Sequence, residues 1–295
     1  MTKTTRATLS ERSRFTLPTM GTVATITTPV PLPQRLKERI GSELATLEGR
    51  LSKFLPGSDV WQLNQGGWVY VHPSTGALLL AARQFASLSE GAFTPLIGAL
   101  ADLWDVKAYL ASVAAGVDPV LPEPEQIASA RAACNPNLLE HGGGLNFRLR
   151  SGAKIDFGGI GKGFAADRIR DLCQRWGLEQ ALVDIGTSSV AALGGPWRVG
   201  GRAGTDTISE VVELGDGQSL STSGDYLQRL PELVSGQVVH HIIDPATGRP
   251  ASSGIRQVSV VCADGVRAEV CSTTALVGKR PRALFEGVRV VSVSR

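Results

Sequence analysis

The sequence predicts an α+β protein in which helices are layered on a mostly antiparallel sheet. Three observations lead there. Helix-period and strand-period stretches are both present, and they do not alternate in the regular strand–helix–strand order of a doubly wound sheet. Four strand-like stretches follow one another after residue 180 with short polar breaks between them. No unit of 20–50 residues repeats, which excludes a solenoid or propeller.

The elements follow in chain order. Residues 1–13 are polar and charged and are expected to form a disordered tail, leaving 14–295 as one domain. FTLPTMGTVATITTPV is rich in Thr and Val around a central Gly and predicts a strand pair or a bent strand. Leu36, Ile40, Leu44, Leu47 and Leu51 share one face of a helix. STGALLLAARQFASLSEG predicts a second helix, capped by Ser74 and ending near Gly91. VAAGVDPVLPEPEQIASARAACNPN reads as an irregular connection with a helix starting near Glu123. NFRLRSGAKIDFGG alternates about Ser151-Gly152 and predicts a hairpin. Lys162 to Trp176 predicts a helix with Ala165, Ile169, Leu172, Cys173 and Trp176 facing inward. QALVDIG, WRVGGR, ISEVVELG and SLSTSGDY are the successive strands, RQVSVVCA is a buried strand, and VRAEVCSTTALVG is a last helix.

Composition narrows the function. The chain has 295 residues, 42% hydrophobic and 19% charged, enough for a sizeable core in a globular protein. A net charge of +3 with no concentrated basic run argues against nucleic acid as a partner. The four cysteines form no CxxC pair, so neither a zinc site nor a redox pair is indicated, and Cys173 and Cys271 read as small core residues. The first residues lack the apolar core of a secretory signal, and no apolar run reaches the ~18 residues of a membrane span, so a cytoplasmic protein is expected.

Four stretches could carry chemistry. KIDFGGIGKGFAAD runs a strand into clustered glycines and then a helix, an arrangement that lets backbone N–H groups approach phosphate. It fits neither a P-loop nor GxGxxG, and a plain strand-to-helix turn would look the same. HHIIDPATGRP sets two histidines ahead of a turn. His241 would act as a group titrating near neutrality, or the stretch is a hairpin turn beside a surface histidine. In AEVCSTT, Glu269 and Thr273 lie four apart on one helix face and offer hard oxygen ligands, although such pairs often arise by chance. In SEGAFTPLIGALADLW, Phe93 is either a stacking platform or core.

Taken together and in order, TMGTVATIT, RLSKFLPGSDVWQLN, GAFTPLIGALADLW, KIDFGGIGKGFAADR, ALVDIGTSSVAALG, STSGDY, HHIIDPATGRPA and RAEVCSTTALVG resemble the ApbE family, the Mg²⁺-dependent FAD:protein FMN transferases. The similarity runs from about Phe15 to Gly278. It implies a T-fold-like architecture, FAD and Mg²⁺ as ligands, and transfer of FMN onto a Thr or Ser of an acceptor flavoprotein with release of AMP. By the same resemblance His241 would be the general base, and Asp244 and Thr247 would hold its loop. Gly161 (through its carbonyl), Glu269, Ser272 and Thr273 would form the metal site. Met20, Phe54, Ala92, Phe93, Thr94, Gly158, Lys162, Phe164, Ile243 and Asp244 would line or adjoin the FAD site. The chain departs from the family pattern at Glu269 and Thr94, where Asp is usual, and at GTSS (186–189), where a Gly-Gly pair is usual. A hydrolase releasing FMN and AMP, or a non-catalytic FAD-binding relative, would carry many of the same residues.

Overall fold

The computed structural model describes residues 12–203, 207–225, 229–230 and 239–294. The expected tail lies outside them except at its end, where Ser13 already opens the first strand, one residue before the expected boundary. Strands β1 (Ser13–Thr19) and β2 (Thr22–Thr28) pair in register from Ser13↔Thr28 to Thr19↔Thr22. Met20 and Gly21 close the hairpin with φ of 50° and 69°, the two successive positive values that match the twist of a tight antiparallel turn.

Helix α1 (Gln34–Leu51) buries the five predicted residues, each such leucine contributing roughly 1.5–3 kcal/mol. There follow α2 (Asp59–Gln65), β3 (Val69–Tyr70), α3 (Pro73–Leu88), α4 (Gly98–Trp104), α5 (Val106–Ala114), α6 (Pro124–Ala132), β4 (Leu139–His141), β5 (Asn146–Leu149) and α7 (Gly161–Arg175). Next come β6 (Ala181–Ile185), β7 (Ser189–Leu193), β8 (Trp197–Ala203), β9 (Thr207–Leu214), β10 (Ser219–Gly224), β11 (Arg229–Leu230), β12 (Val239–His240), β13 (Ile243–Asp244) and β14 (Arg249–Pro250). The chain closes with β15 (Gln257–Cys262), α8 (Gly265–Leu276), α9 (Arg282–Phe285) and β16 (Arg289–Ser294).

Three local expectations are corrected. Helix α3 is capped by His72, whose Nδ1 accepts the Ser74 N–H at 3.2 Å. Pro73 takes the first helical position, where its missing N–H costs nothing, and this moves the cap one residue earlier than Ser74. Ser151-Gly152 is a turn but not a hairpin, because β5 pairs with β3 and β4. After that turn, the Asn64 amide bonds both the N–H and the C=O of Ile155, at 2.7 and 3.0 Å, standing in for a partner strand. Trp176 is 44% exposed rather than inward, since α7 ends at Arg175 before its buried face comes round again.

Seven strands form the central sheet in the order β1-β2-β6-β7-β10-β15-β16, every pair antiparallel. Helices α1, α7 and α8 cover one face with the main core, which includes Ile40, Leu44, Ile169, Cys173, Val260 and Cys271. The β8–β9 hairpin covers the other face through Trp197, Val212 and Leu214. Strands β7 and β15 are therefore buried at every residue. A separate core joins α4 and α6 to β12 and β13 through Leu100, Trp104, Ile127, Val239 and Ile243.

Candidate active site

The site is built where α7 begins. The Gly161 N–H donates to the Phe157 carbonyl at 2.7 Å, and Asp156 Oδ1 accepts the Gly158 N–H at 2.7 Å, which shapes the glycine turn. Ile160 supplies no side-chain cap, so the N–H groups of the first turn are left to other acceptors. The Met20 methyl lies 3.3 Å from where a Cβ on Gly161 would sit, and the Phe93 ring 4.0 Å from the equivalent point on Gly159. Met20 and Phe93 thus flank the turn.

Helices α7 and α8 cross there through reciprocal contacts. The Gly163 N–H of α7 donates to Glu269 Oε2 of α8 at 2.9 Å. The Gly265 N–H of α8 donates to Asp167 Oδ2 of α7 at 2.6 Å. Gly163 and Gly265 touch backbone to backbone, a Cβ on Gly265 falling 2.6 Å from the Gly163 carbonyl oxygen, so neither position has room for a side chain. Serines of neighbouring strands complete the two acids: Ser189 of β7 donates to Glu269 Oε1 at 2.6 Å, and Ser219 of β10 to Asp167 Oδ1 at 2.8 Å. Burial, opposed chiefly by Arg170, pushes the Asp167 carboxyl up to about 6.

Glu269 is 4% exposed, with Lys162 Nζ at 3.9 Å from its Oε1. Lys162 also reaches the Gly158 carbonyl at 3.4 Å, tying glycine turn and carboxylate together. One turn along α8, Thr273 Oγ1 lies 3.2 Å from Ser223 Oγ. Ser272 is fully enclosed, 2.7 Å from Ser223 Oγ and 3.1 Å from Ser221 Oγ, and donates to the Glu269 carbonyl. Among the described residues no group of three or more His, Cys, Asp or Glu could hold a metal ion. The donors gathered here are one carboxylate, hydroxyls and backbone carbonyls. That hard, sparse set fits Mg²⁺, which keeps places for water and phosphate oxygens, and does not fit zinc.

The two histidines differ. His240 is 3% exposed, its Nε2 is 2.8 Å from the Ala251 carbonyl and its Nδ1 accepts the Ile242 N–H at 3.2 Å, so both ring nitrogens serve the backbone. His241 is exposed at the entry to the β13–β14 hairpin. That hairpin is pinned from outside, where Trp104 Nε1 donates to the Gly248 carbonyl at 2.8 Å and Arg131 donates to the Ala246 carbonyl, and within the turn Asp244 Oδ1 accepts the Ala246 N–H. Thr247 Oγ1 bonds the Asp244 carbonyl and the Arg249 N–H within the turn. Ile242 packs in the main core and Ile243 in the second, so the hairpin bridges the two. Ser253, just beyond it, donates to the Leu276 carbonyl at the end of α8.

The remaining expected residues are placed as follows. Ala92, Phe93 and Thr94 are buried behind the glycine turn, and the Thr94 hydroxyl is committed to the Cys134 carbonyl at 3.0 Å. Phe164 is half-buried on α7. Phe54 is 74% exposed. Sequence reasoning missed Ser189 and Ser223, whose signal was two Ser-rich strand ends, GTSS and STSG, facing the last helix. It also missed Lys53, Asp102 and Asp156, which no local pattern connects.

No helix among the described residues is long and apolar enough to cross a membrane. The profile of the ApbE family matches residues 20–287. A Treponema pallidum protein called FAD:protein FMN transferase is 33% identical over 230 residues, covering 71% of this chain and 61% of that relative, so the chain spans about three-fifths of its length. The apo flavinyl transferase ApbE of Pseudomonas stutzeri superposes with a TM-score of 0.77 at 28% identity, over 94% of this chain and 88% of the other. The ApbE protein of Thermotoga maritima gives 0.79 at 27% identity, over 97% of each chain. With a profile match that starts in the β1–β2 turn and reaches past α9, and a fold shared with these structures along nearly all its length, this chain belongs to the ApbE family.

Proposed function

We propose that the protein binds FAD and Mg²⁺ and transfers the FMN half of FAD onto a Thr or Ser hydroxyl of an acceptor flavoprotein, releasing AMP. The observation that carries this reading is the α7–α8 crossing, which holds the Glu269 carboxylate against the helix that opens on the glycine turn. The diphosphate would lie along the glycine turn, where the missing side chains let a ligand approach the backbone closely, with the Lys162 ammonium beside it. Glu269, Thr273 and the Gly161 carbonyl would hold Mg²⁺, with Ser189 orienting the Glu269 carboxylate. Bound Mg²⁺ would offset the charge that builds on the diphosphate oxygens. Met20 and Phe54 offer walls to the flavin ring, and Phe93, buried in the main core, backs the glycine turn rather than facing the ring. His241 takes the proton of the acceptor hydroxyl as that oxygen bonds the FMN phosphorus and the bond from that phosphorus to the AMP oxygen breaks.

The test is incubation with FAD, Mg²⁺ and a candidate acceptor protein. Transfer predicts AMP in solution and an acceptor heavier by FMN less one water. Free FMN and AMP with an unmodified acceptor would mean hydrolysis, and FAD binding without AMP release would mean a non-catalytic relative.

A further inference from the structure

Phe54 is a large aromatic side chain left 74% exposed beside a buried, polar site. Leaving such a ring in water forgoes the stabilisation its burial would bring. It is not carried on a slack loop. The Phe54 N–H donates to Ser52 Oγ at 3.1 Å, Ser58 Oγ donates to the Ser52 carbonyl, the Ser58 N–H donates to the Leu55 carbonyl, and Gln62 donates to the Gly57 carbonyl. The segment from Ser52 to Ser58 is a hydrogen-bonded turn that presents the ring outward.

Lys53 aims this turn. Its side chain is 14% exposed, and its Nζ lies 2.8 Å from Asp102 Oδ1 of α4 and 2.9 Å from Asp156 Oδ2. The other oxygen of Asp156 accepts the Gly158 N–H, so one carboxylate links the ammonium to the glycine turn. Lys154 holds the second oxygen of Asp102 at 2.8 Å. The same Nζ lies 5.2 Å from the centroid of the Phe54 ring, within cation–π range. One enclosed ammonium therefore fixes an exposed ring, helix α4 and the glycine turn relative to each other. Burial alone would lower the Lys53 pKa, but Asp156 and Asp102 outweigh it and keep the ammonium charged.

We propose that Lys53 is a positioning residue for the flavin: through Asp156 it sets the Phe54 ring at a fixed distance from the glycine turn, so that ring and diphosphate of one FAD molecule are engaged together. The inference rests on the FAD reading of the site. A bare ion pair would not need a ring held in water beside it, and a flavin platform alone would not need a tether to the diphosphate turn.

The test compares the full-length protein with Lys53→Met, which keeps the stem, Lys53→Arg, which keeps the charge, and Phe54→Leu. FAD titration is followed by flavin fluorescence and visible absorbance, and AMP release by steady-state kinetics. Lys53→Met and Phe54→Leu should each raise Kd and KM for FAD about 10-fold or more, with a smaller change in kcat. Both should return the visible bands of bound FAD toward those of free FAD, and Lys53→Arg should restore most of the affinity. Unchanged KM and spectrum in Lys53→Met, or a fall in thermal midpoint with FAD affinity intact, overturns the proposal. Absence of FAD binding by the unsubstituted protein removes the underlying reading instead, and this inference with it.

Discussion

His240 and His241 are adjacent in sequence and opposite in surroundings. The buried imidazole has both nitrogens committed to backbone groups, so its ring is a brace between β12 and the Ala251 segment. Its exposed neighbour stands at the mouth of a hairpin that Trp104 and Arg131 hold from behind. His241→Asn should lower FMN transfer by about 10²–10⁴-fold and leave FAD bound. His240→Asn should instead cost about 1–3 kcal/mol of stability, through buried backbone groups left without a partner. Transfer kinetics and urea unfolding of both variants separate the roles. Undiminished AMP release from the His241 variant ends its assignment as base.

At the scale of the element, the crossing of α7 and α8 is a two-way clasp, in which each helix offers a glycine N–H to an acid on the other. Asp167 makes its half of the clasp sensitive to pH. Its carboxyl is pushed up to about 6 by burial, while Arg170, the Gly265 N–H and Ser219 pull the other way and Asp264 adds to the rise. An unfolded aspartate releases its proton near pH 4. Between about pH 4 and pH 6 the folded protein keeps a proton that the unfolded chain has lost, so this contribution to stability is full below about 4 and gone above about 6. Asp167→Asn should flatten that part of the stability profile. Urea midpoints collected across the window check it, and an unchanged slope in the variant would refute it.

For the whole molecule, the glycine turn and the α7–α8 crossing belong to the main core, and Ile242 and Ile243 of one hairpin join that core to the α4–α6 core, so ligands binding only the folded state stabilise the whole fold. FAD at 100 times its Kd should add about 2.7 kcal/mol to unfolding, seen as a rise in Tm. Mg²⁺ should add a further rise only when FAD is present, because the protein supplies few ligands of its own. Glu269→Gln should keep the FAD increment and lose most of the Mg²⁺ increment. A full Mg²⁺ response in that variant would place the metal elsewhere.

Sequence by itself determined what depends on near neighbours. The five apolar positions of α1, the strand character of the Thr- and Val-rich stretch around Gly21, the start of α6 near Glu123 and the buried Cys173 and Cys271 follow from periodicity and composition, while the structure decided that the stretch is a hairpin rather than a bent strand. The ordered motifs also pointed to the family, because a motif is a local string. Tertiary structure alone decided which distant groups meet. Gly163 and Glu269 are 106 residues apart, Asp167 and Gly265 98, and Asn64 and Ile155 91. Trp176 and Ser74 were misread because periodicity cannot see where a helix stops or that a proline hands its cap to the residue before it. No short-range rule could bring Lys53 to Asp156: the attraction between the two charges acts through space, and only the packed fold places them 2.9 Å apart.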